Sequence, residues 1–208
     1  MGIQVVLSAV PLTAVLTGFA TNVTGATWAL AATTSGDSLA HTVTIQNNSV
    51  TNHSGKTALI TGTDADGKPQ TETLALPGAS ATVTGVKSFL TVTSIVPSAT
   101  IGADTMNLGW SAVSVSKTVT LDISQAPFSV SLGVVISGTA NVTLQHSFDR
   151  WAGDGNSQAV NWFNHATLAA ITATADGNYA YPVYSVRLKF NSVTNGATTK
   201  VYITQGSR

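Results

Sequence analysis

Few stretches of this chain bring chemically reactive side chains close together. Asp64-Ala65-Asp66-Gly67 opens like a calcium loop, in which carboxylates at alternating positions supply hard oxygen ligands. That loop also needs a bidentate carboxylate at its twelfth position, and position 75 is Ala. The segment reads instead as a hairpin turn, with a glycine following two aspartates between Thr-rich runs. The second polar stretch is Asp149-Arg150-Trp151-Ala152-Gly153-Asp154-Gly155-Asn156. Two aspartates among glycines suit a cation cradle, and equally an exposed loop that meets a partner. Trp151, Trp162 and Phe163 are close in sequence. Aromatics grouped in this way form a sugar-stacking platform, an interface anchor or a plug for the end of a core. Trp151, Asp154, Trp162, Phe163 and His165 are therefore the candidate interface residues of the C-terminal half. Ile3, Val5 and Leu7 are those of the N-terminal segment.

No catalytic, cofactor-binding or metal-binding set emerges beside them. His41, His53, His146 and His165 are far apart, and no spacing among them proposes a zinc site. His146 continues the inward register of Val142 and Leu144, as a buried, hydrogen-bonded histidine would. The serines lack the glycine pattern of a nucleophile elbow. Glu72 is the single glutamate, so the two carboxylates of a glycosidase are not suggested. The expectation is a protein that is not an enzyme and carries no cofactor.

The elements that would position these residues are strands. Phe128, Val130, Leu132, Val134 and Ile136 point one way, and Ser129, Ser131, Gly133 and Ser137 the other. The same period of two returns in Val119-Leu121-Ile123, Val142-Leu144 and Tyr184-Val186-Leu188-Phe190. It belongs to strands with one buried face. Strands are expected at 41–46, 56–63, 70–76, 80–86, 88–96, 106–110, 117–123, 128–137, 140–148, 158–163, 167–174, 181–191 and 199–204. Asp176-Gly177-Asn178 and Asn195-Gly196 read as turns. Spacings of about 8–12 residues between strands suggest a sandwich or barrel. The fold expected is all-β: one or two antiparallel β-sandwich units, jelly-roll or Ig-like, with an extended N-terminal arm. Residues 1–35 would be the arm or a short strand, either on a sheet edge of their own domain or reaching a neighbour. Residues 36–112 and 113–208 would be two sandwich domains, or one continuous unit.

Composition agrees with strands and limits the partners. Charged residues make up 9% of the chain, against roughly 25% in an average globular protein. Lys and Glu normally fill exposed helix faces, so their scarcity disfavours helices. Nine basic and nine acidic residues cancel, leaving no basic patch for nucleic acid or anionic lipid. The apolar opening stretch, residues 1–20, lacks a basic start and is broken by Pro11, so it does not read as a secretory signal. No uninterrupted apolar run is long enough for a membrane helix.

Two sets of segments resemble known proteins. Ile60 to Gly67, then Thr71-Glu72-Thr73-Leu74 and Val86 to Ile95, resemble a stretch common in virion structural proteins of tailed bacteriophages. Phe128 to Asp149, Trp162-Phe163-Asn164-His165, Ala175 to Val183 and Val186-Arg187-Leu188 look like the C-terminal portion of similar proteins. The resemblance implies a particle component, such as a capsid cement or decoration protein, and supplies no functional residue. It implies binding to the major capsid protein or other virion subunits, and a place on the capsid exterior after assembly in the host cytoplasm. A homo-oligomer, dimer or trimer, is expected through the arm and exposed sheet edges. A head–tail adaptor, a tail or fibre component and a glycan-binding β-sandwich module are the alternatives.

Overall fold

The computed structural model describes residues 3–124, 126–150 and 160–206. Among them every helix or strand is a strand. In chain order these are β1 (Ile3–Ala9), β2 (Val15–Val23), β3 (Ala40–Asn47), β4 (Thr57–Thr63), β5 (Pro69–Ala75), β6 (Thr82–Phe89), β7 (Thr91–Pro97) and β8 (Met106–Val115). There follow β9 (Val119–Thr120), β10 (Val130–Ser137), β11 (Ala140–Ser147), β12 (Phe163–Asn164), β13 (Ala175–Tyr179), β14 (Ser185–Val193) and β15 (Thr198–Gln205). The protein is all-β, built of antiparallel sheets in a sandwich-like arrangement. It divides into two compact units, Thr13–Ser114 and Met1–Leu12 together with Val115–Arg208.

In the 13–114 unit, β2, β8, β3 and β6 lie side by side, and β5, β4 and β7 form a three-stranded sheet. Val43, Ile45, Ile60, Val92 and Leu108 are fully buried in it. The β4–β5 hairpin closes at Asp64, whose Oδ1 accepts the N–H groups of Asp66 and Lys68 at 2.9 Å each. This is an Asx-type turn: a short side chain does the work of a backbone acceptor. β2 lies within residues 1–35, expected as an arm or a short strand. Its register on β8 shifts twice, between Val15 and Ala20 and between Ala20 and Val23. Such irregularities erase the two-residue alternation by which a strand is recognised.

The C-terminal unit has one sheet in the order β1-β15-β10-β13. Its second set of strands is β12-β11-β14, with β9 also on β14. β1 pairs with β15 from Ile3↔Gln205 to Ala9↔Thr199. Of the two outcomes open for the N-terminal segment, this strand takes an edge within its own chain. On β10 the alternation appears as drawn from the sequence, with Val130, Leu132 and Val134 buried and Ser131 and Val135 exposed. Val186, Leu188 and Phe190 of β14 are fully buried, paired with His146, Leu144 and Val142 of β11.

Several expectations fail in this unit; of the strand expected at 117–123, β9 keeps only Val119–Thr120. Residues 167–174 form no strand; only Ile171 makes a bridge, to Val142. The strand comes later, as β13, and includes the residues read as the turn Asp176-Gly177-Asn178. Turn chemistry was overridden by packing. A Cβ on Gly177 would lie 2.9 Å from His165 Cε1 and 3.1 Å from Leu168 Cδ1. Glycine is there to admit the 165–168 segment against the strand, a close approach rather than a turn. For the strand expected at 158–163, residues up to 159 lie outside those described, and β12 covers only Phe163–Asn164.

Candidate functional site

The chemistry-bearing side chains of the C-terminal unit gather around β11 and the edge strand β12. Their register places Gln145 opposite Asn164, and His146 opposite Phe163. Successive residues of a strand face opposite ways, so this pairing sorts the site into two faces.

One face carries a polar row. Arg187 Nε donates to Gln145 Oε1 at 2.9 Å, and Gln145 Nε2 donates to Asn164 Oδ1 at 3.0 Å. Trp162 shares the parity of Asn164, and the guanidinium carbon of Arg187 lies 4.0 Å from its ring centroid. Arg187 thus joins a cation–π contact to an amide ladder across three strands.

The other face carries rings. His146 is buried and in contact with four of them: Phe148 at 5.1 Å between centroids, Phe163 at 6.0 Å, Tyr179 at 5.0 Å and Tyr181 at 6.4 Å. Tyr179 arrives from β13, so rings from both strand sets of this unit meet here. The Tyr179 hydroxyl and His146 Nδ1 are hydrogen-bonded at 3.1 Å, inside the buried region. Burial raises the Tyr179 phenol well above its ordinary pKa, with Tyr181 adding to the effect, so it stays protonated and able to donate. His146 is held below its ordinary value by burial first and by His165 second. His165 is fixed by its own bonds. Its Nδ1 accepts from the N–H groups of Thr167 and Leu168 at 3.2 Å each, and its Nε2 donates to the Asn178 carbonyl at 3.3 Å.

Outside this buried centre, three rings reach solvent. Phe148 is 46% exposed, Phe163 49% and Tyr181 49%. They form a continuous set, with Phe148 5.5 Å from Phe163 and 6.1 Å from Tyr181. Asp149 follows Phe148 and accepts at Oδ2 from the Asn161 backbone N–H at 2.6 Å and from its Nδ2 at 3.1 Å.

The residues expected at the interface are therefore divided. Phe163 is in the exposed ring set, His165 is buried behind it, and Trp162 is on the opposite face against Arg187. Trp151 and Asp154 lie outside the described residues. Ile3, Val5 and Leu7 are on β1, away from these rings in sequence and in strand order. Val5 lines a separate cavity of about 260 Å³ with Val119, Leu121, Ile203 and Gln205. Sequence reasoning missed Phe148, Tyr179 and Tyr181 as site residues. The available signal was the alternation Val142-Leu144-His146-Phe148, which carries the inward row past the end of β11 and out to solvent.

In the 13–114 unit the remaining histidines are buried parts of hydrogen-bonded networks. His41 lies between Asp37 Oδ2, at 2.9 Å, and the Ser111 carbonyl, at 2.8 Å. His53 lies between Asp104 Oδ2, at 2.9 Å, and Lys56 Nζ, at 3.2 Å. The Glu72 carboxylate accepts from the Val86 and Lys87 N–H groups, fastening β5 to β6. Each network links loops or strands within its unit. Among the described residues, no three His, Cys, Asp or Glu side chains gather as a metal cage. No protein-family model matches this chain, and no curated protein or solved structure matches it either.

Proposed function

We propose that this protein is a structural subunit of a virus particle, of the kind that cements or decorates the capsid of a tailed bacteriophage. It acts by presenting pleated surfaces to neighbouring subunits, the major capsid protein first among them, and performs no bond-making chemistry. The observation that carries this reading is paired apolar exposure on a surface poor in charge. Leu59 of β4 and Val96 of β7 are direct cross-strand partners, 44% and 52% exposed, and Val86 on β6 is 87% exposed. With only 9% charged residues, such faces lose little hydration when a neighbour covers them. Repetition of a weak contact around a shell multiplies its strength, so no single large interface is required.

The experiment is to quantify this chain against the major capsid protein in purified particles. Hundreds of copies per particle support the shell reading. A dozen or fewer would place it instead as a head–tail adaptor, tail or fibre component. Absence from the particle would refute a virion role altogether.

A further inference from the structure

β1 is paired on one side. It lies at the end of its sheet, against β15, and no other strand pairs with it among the described residues. In an antiparallel ladder alternate residues turn their N–H and C=O groups to opposite sides. The seven residues of β1 therefore leave about three or four residues whose backbone groups face away from β15. Such a row is a template for a further strand.

Edges of this kind are ordinarily blunted, and elsewhere in the protein they are. β13, at the far end of the same sheet, has five residues, includes Asp176 and gives its Asn178 carbonyl to His165. β5 is fastened to β6 by Glu72 and Gln70. β7 donates its Val92 N–H to the Thr33 carbonyl, and β2 is broken by two register shifts. β1 has none of these devices. Ile3–Ala9 contains no charged residue, proline or glycine, and its register on β15 runs without a shift. Its inward row is also left unfinished: Val5 and Leu7 keep partial exposure, while their partners Ile203 and Val201 are buried.

The sequence of the strand selects its occupant. Turned antiparallel on itself about a two-fold axis through Val6, β1 sets Gln4 against Ser8, Val5 against Leu7 and Val6 against its own copy. Polar residues meet polar ones, apolar residues meet apolar ones, and no charge is covered. On the outward face Val6, 46% exposed, is the cross-strand partner of Tyr202, 36% exposed. The two-fold extends this pair into an apolar row of four side chains. On the inward face, Leu7 of the second copy comes to lie opposite Val5. There it meets the cavity of about 260 Å³ that Val5 lines with Val119, Leu121 and Ile203. The added ladder carries about six to eight hydrogen bonds, within the range of a specific protein interface. We propose that two copies of this chain associate through β1, antiparallel about Val6, and join their β1-β15-β10-β13 sheets into one continuous sheet. The pairing does not depend on the chain being a virion subunit.

The test is sedimentation of the full chain over a concentration series, which should show a reversible equilibrium between monomer and dimer. Val6→Lys places like charges face to face at the two-fold and should weaken the dimer at least about tenfold, as should Val6→Glu. An equimolar mixture of the two variants should recover it, because a register that sets residue 6 against itself turns both repulsions into an attraction. Position 6 is half-exposed and a charge suits an edge strand, so the fold should persist, and the amide spectrum of each variant reports it. The chain has no cysteine, so Val6→Cys should cross-link to itself on mild oxidation, whereas Gln4→Cys, which faces residue 8, should not. A chain that stays monomeric at every concentration, or that forms trimers or filaments, would overturn the proposal. So would an undiminished dimer in the Val6→Lys variant, or a mixture that fails to recover it. Association with the major capsid protein in place of self-association would overturn it as well, and would assign the edge to a shell strand.

Discussion

Acid should weaken the C-terminal unit through His146, and the structure fixes the sign. The ring is buried among four aromatic rings and shares a hydrogen bond at Nδ1 with the Tyr179 hydroxyl. A protonated ring would place a charge in an apolar setting beside His165. Burial, with His165 second, accordingly holds its pKa below the ordinary value. In the unfolded chain a histidine takes up its proton near about pH 6.5. The unfolded state therefore binds more protons as pH falls below that point, and stability falls with it. The contribution is complete above about pH 6.5 and is lost toward the lower folded pKa, at no more than about 1.4 kcal/mol per pH unit. The chain holds three other histidines, so the assay must isolate one ring. His146→Asn does so: its amide takes the place of Nδ1 as the hydroxyl's partner, and it has no proton to gain. Urea unfolding followed through the amide resonances of Leu144 and residue 146, between about pH 5 and 8, should show a shallower slope in the variant than in the parent. The variant also loses ring contacts, about 1–3 kcal/mol at every pH, and this displaces its curve without tilting it. Equal slopes in parent and variant would refute the argument. So would a His146 imidazole resonance titrating at or above the ordinary value.

Three further outcomes follow from packing. Gly18→Ala would place a Cβ 2.0 Å from Trp110 Cζ3, so the 13–114 unit should lose about 1–3 kcal/mol in chemical denaturation; a change within about 0.5 kcal/mol would contradict the tight contact. Thr199→Val replaces a buried hydroxyl without a hydrogen-bond partner by an apolar group of similar shape, and should raise the unfolding midpoint of the C-terminal unit; a lower midpoint would show that the hydroxyl is satisfied. Leu188→Ala removes a fully buried side chain facing Leu144 and should cost about 2–5 kcal/mol, whereas Tyr202→Ala, on the outward face of β15, should cost far less.

Alternation made the regular strands legible. On β10, β14 and β15 one face is buried and one is not, so each residue reports its side. Where that condition fails, the pattern fails with it. β2 is broken by register shifts. β13 is an edge strand whose glycine makes room for a neighbouring segment, and from sequence alone an Asp-Gly-Asn triplet is indistinguishable from a turn. β11 presents the opposite difficulty, since six of its last seven side chains are buried on both faces alike. Val142, Leu144 and His146 face the core, while Thr143 and Gln145 are covered on the other side. There Thr143 Oγ1 receives the Ala170 N–H, and Gln145 lies between Asn164 and Arg187.

The ring cluster was legible only in fragments, for a geometric reason. Trp162 and Phe163 are adjacent in sequence, yet adjacency on a strand is the arrangement that sends side chains to opposite faces. Phe163 joins the exposed rings because it lies across from His146. Trp162 lies against Arg187 because Asn164, two residues on, lies across from Gln145. The true neighbours of Phe163 come from positions 148, 179 and 181, brought together by pairings that no local window contains. A row of inward side chains that outruns the end of its strand must change surroundings, from core to solvent. Val142, Leu144, His146 and Phe148 make that passage in four steps: two aliphatic residues in the core, a buried titratable ring, then a half-exposed phenyl. The same row that holds the unit together thus delivers its last member to the surface, and a substitution at His146 acts on the fold and on the exposed rings at once.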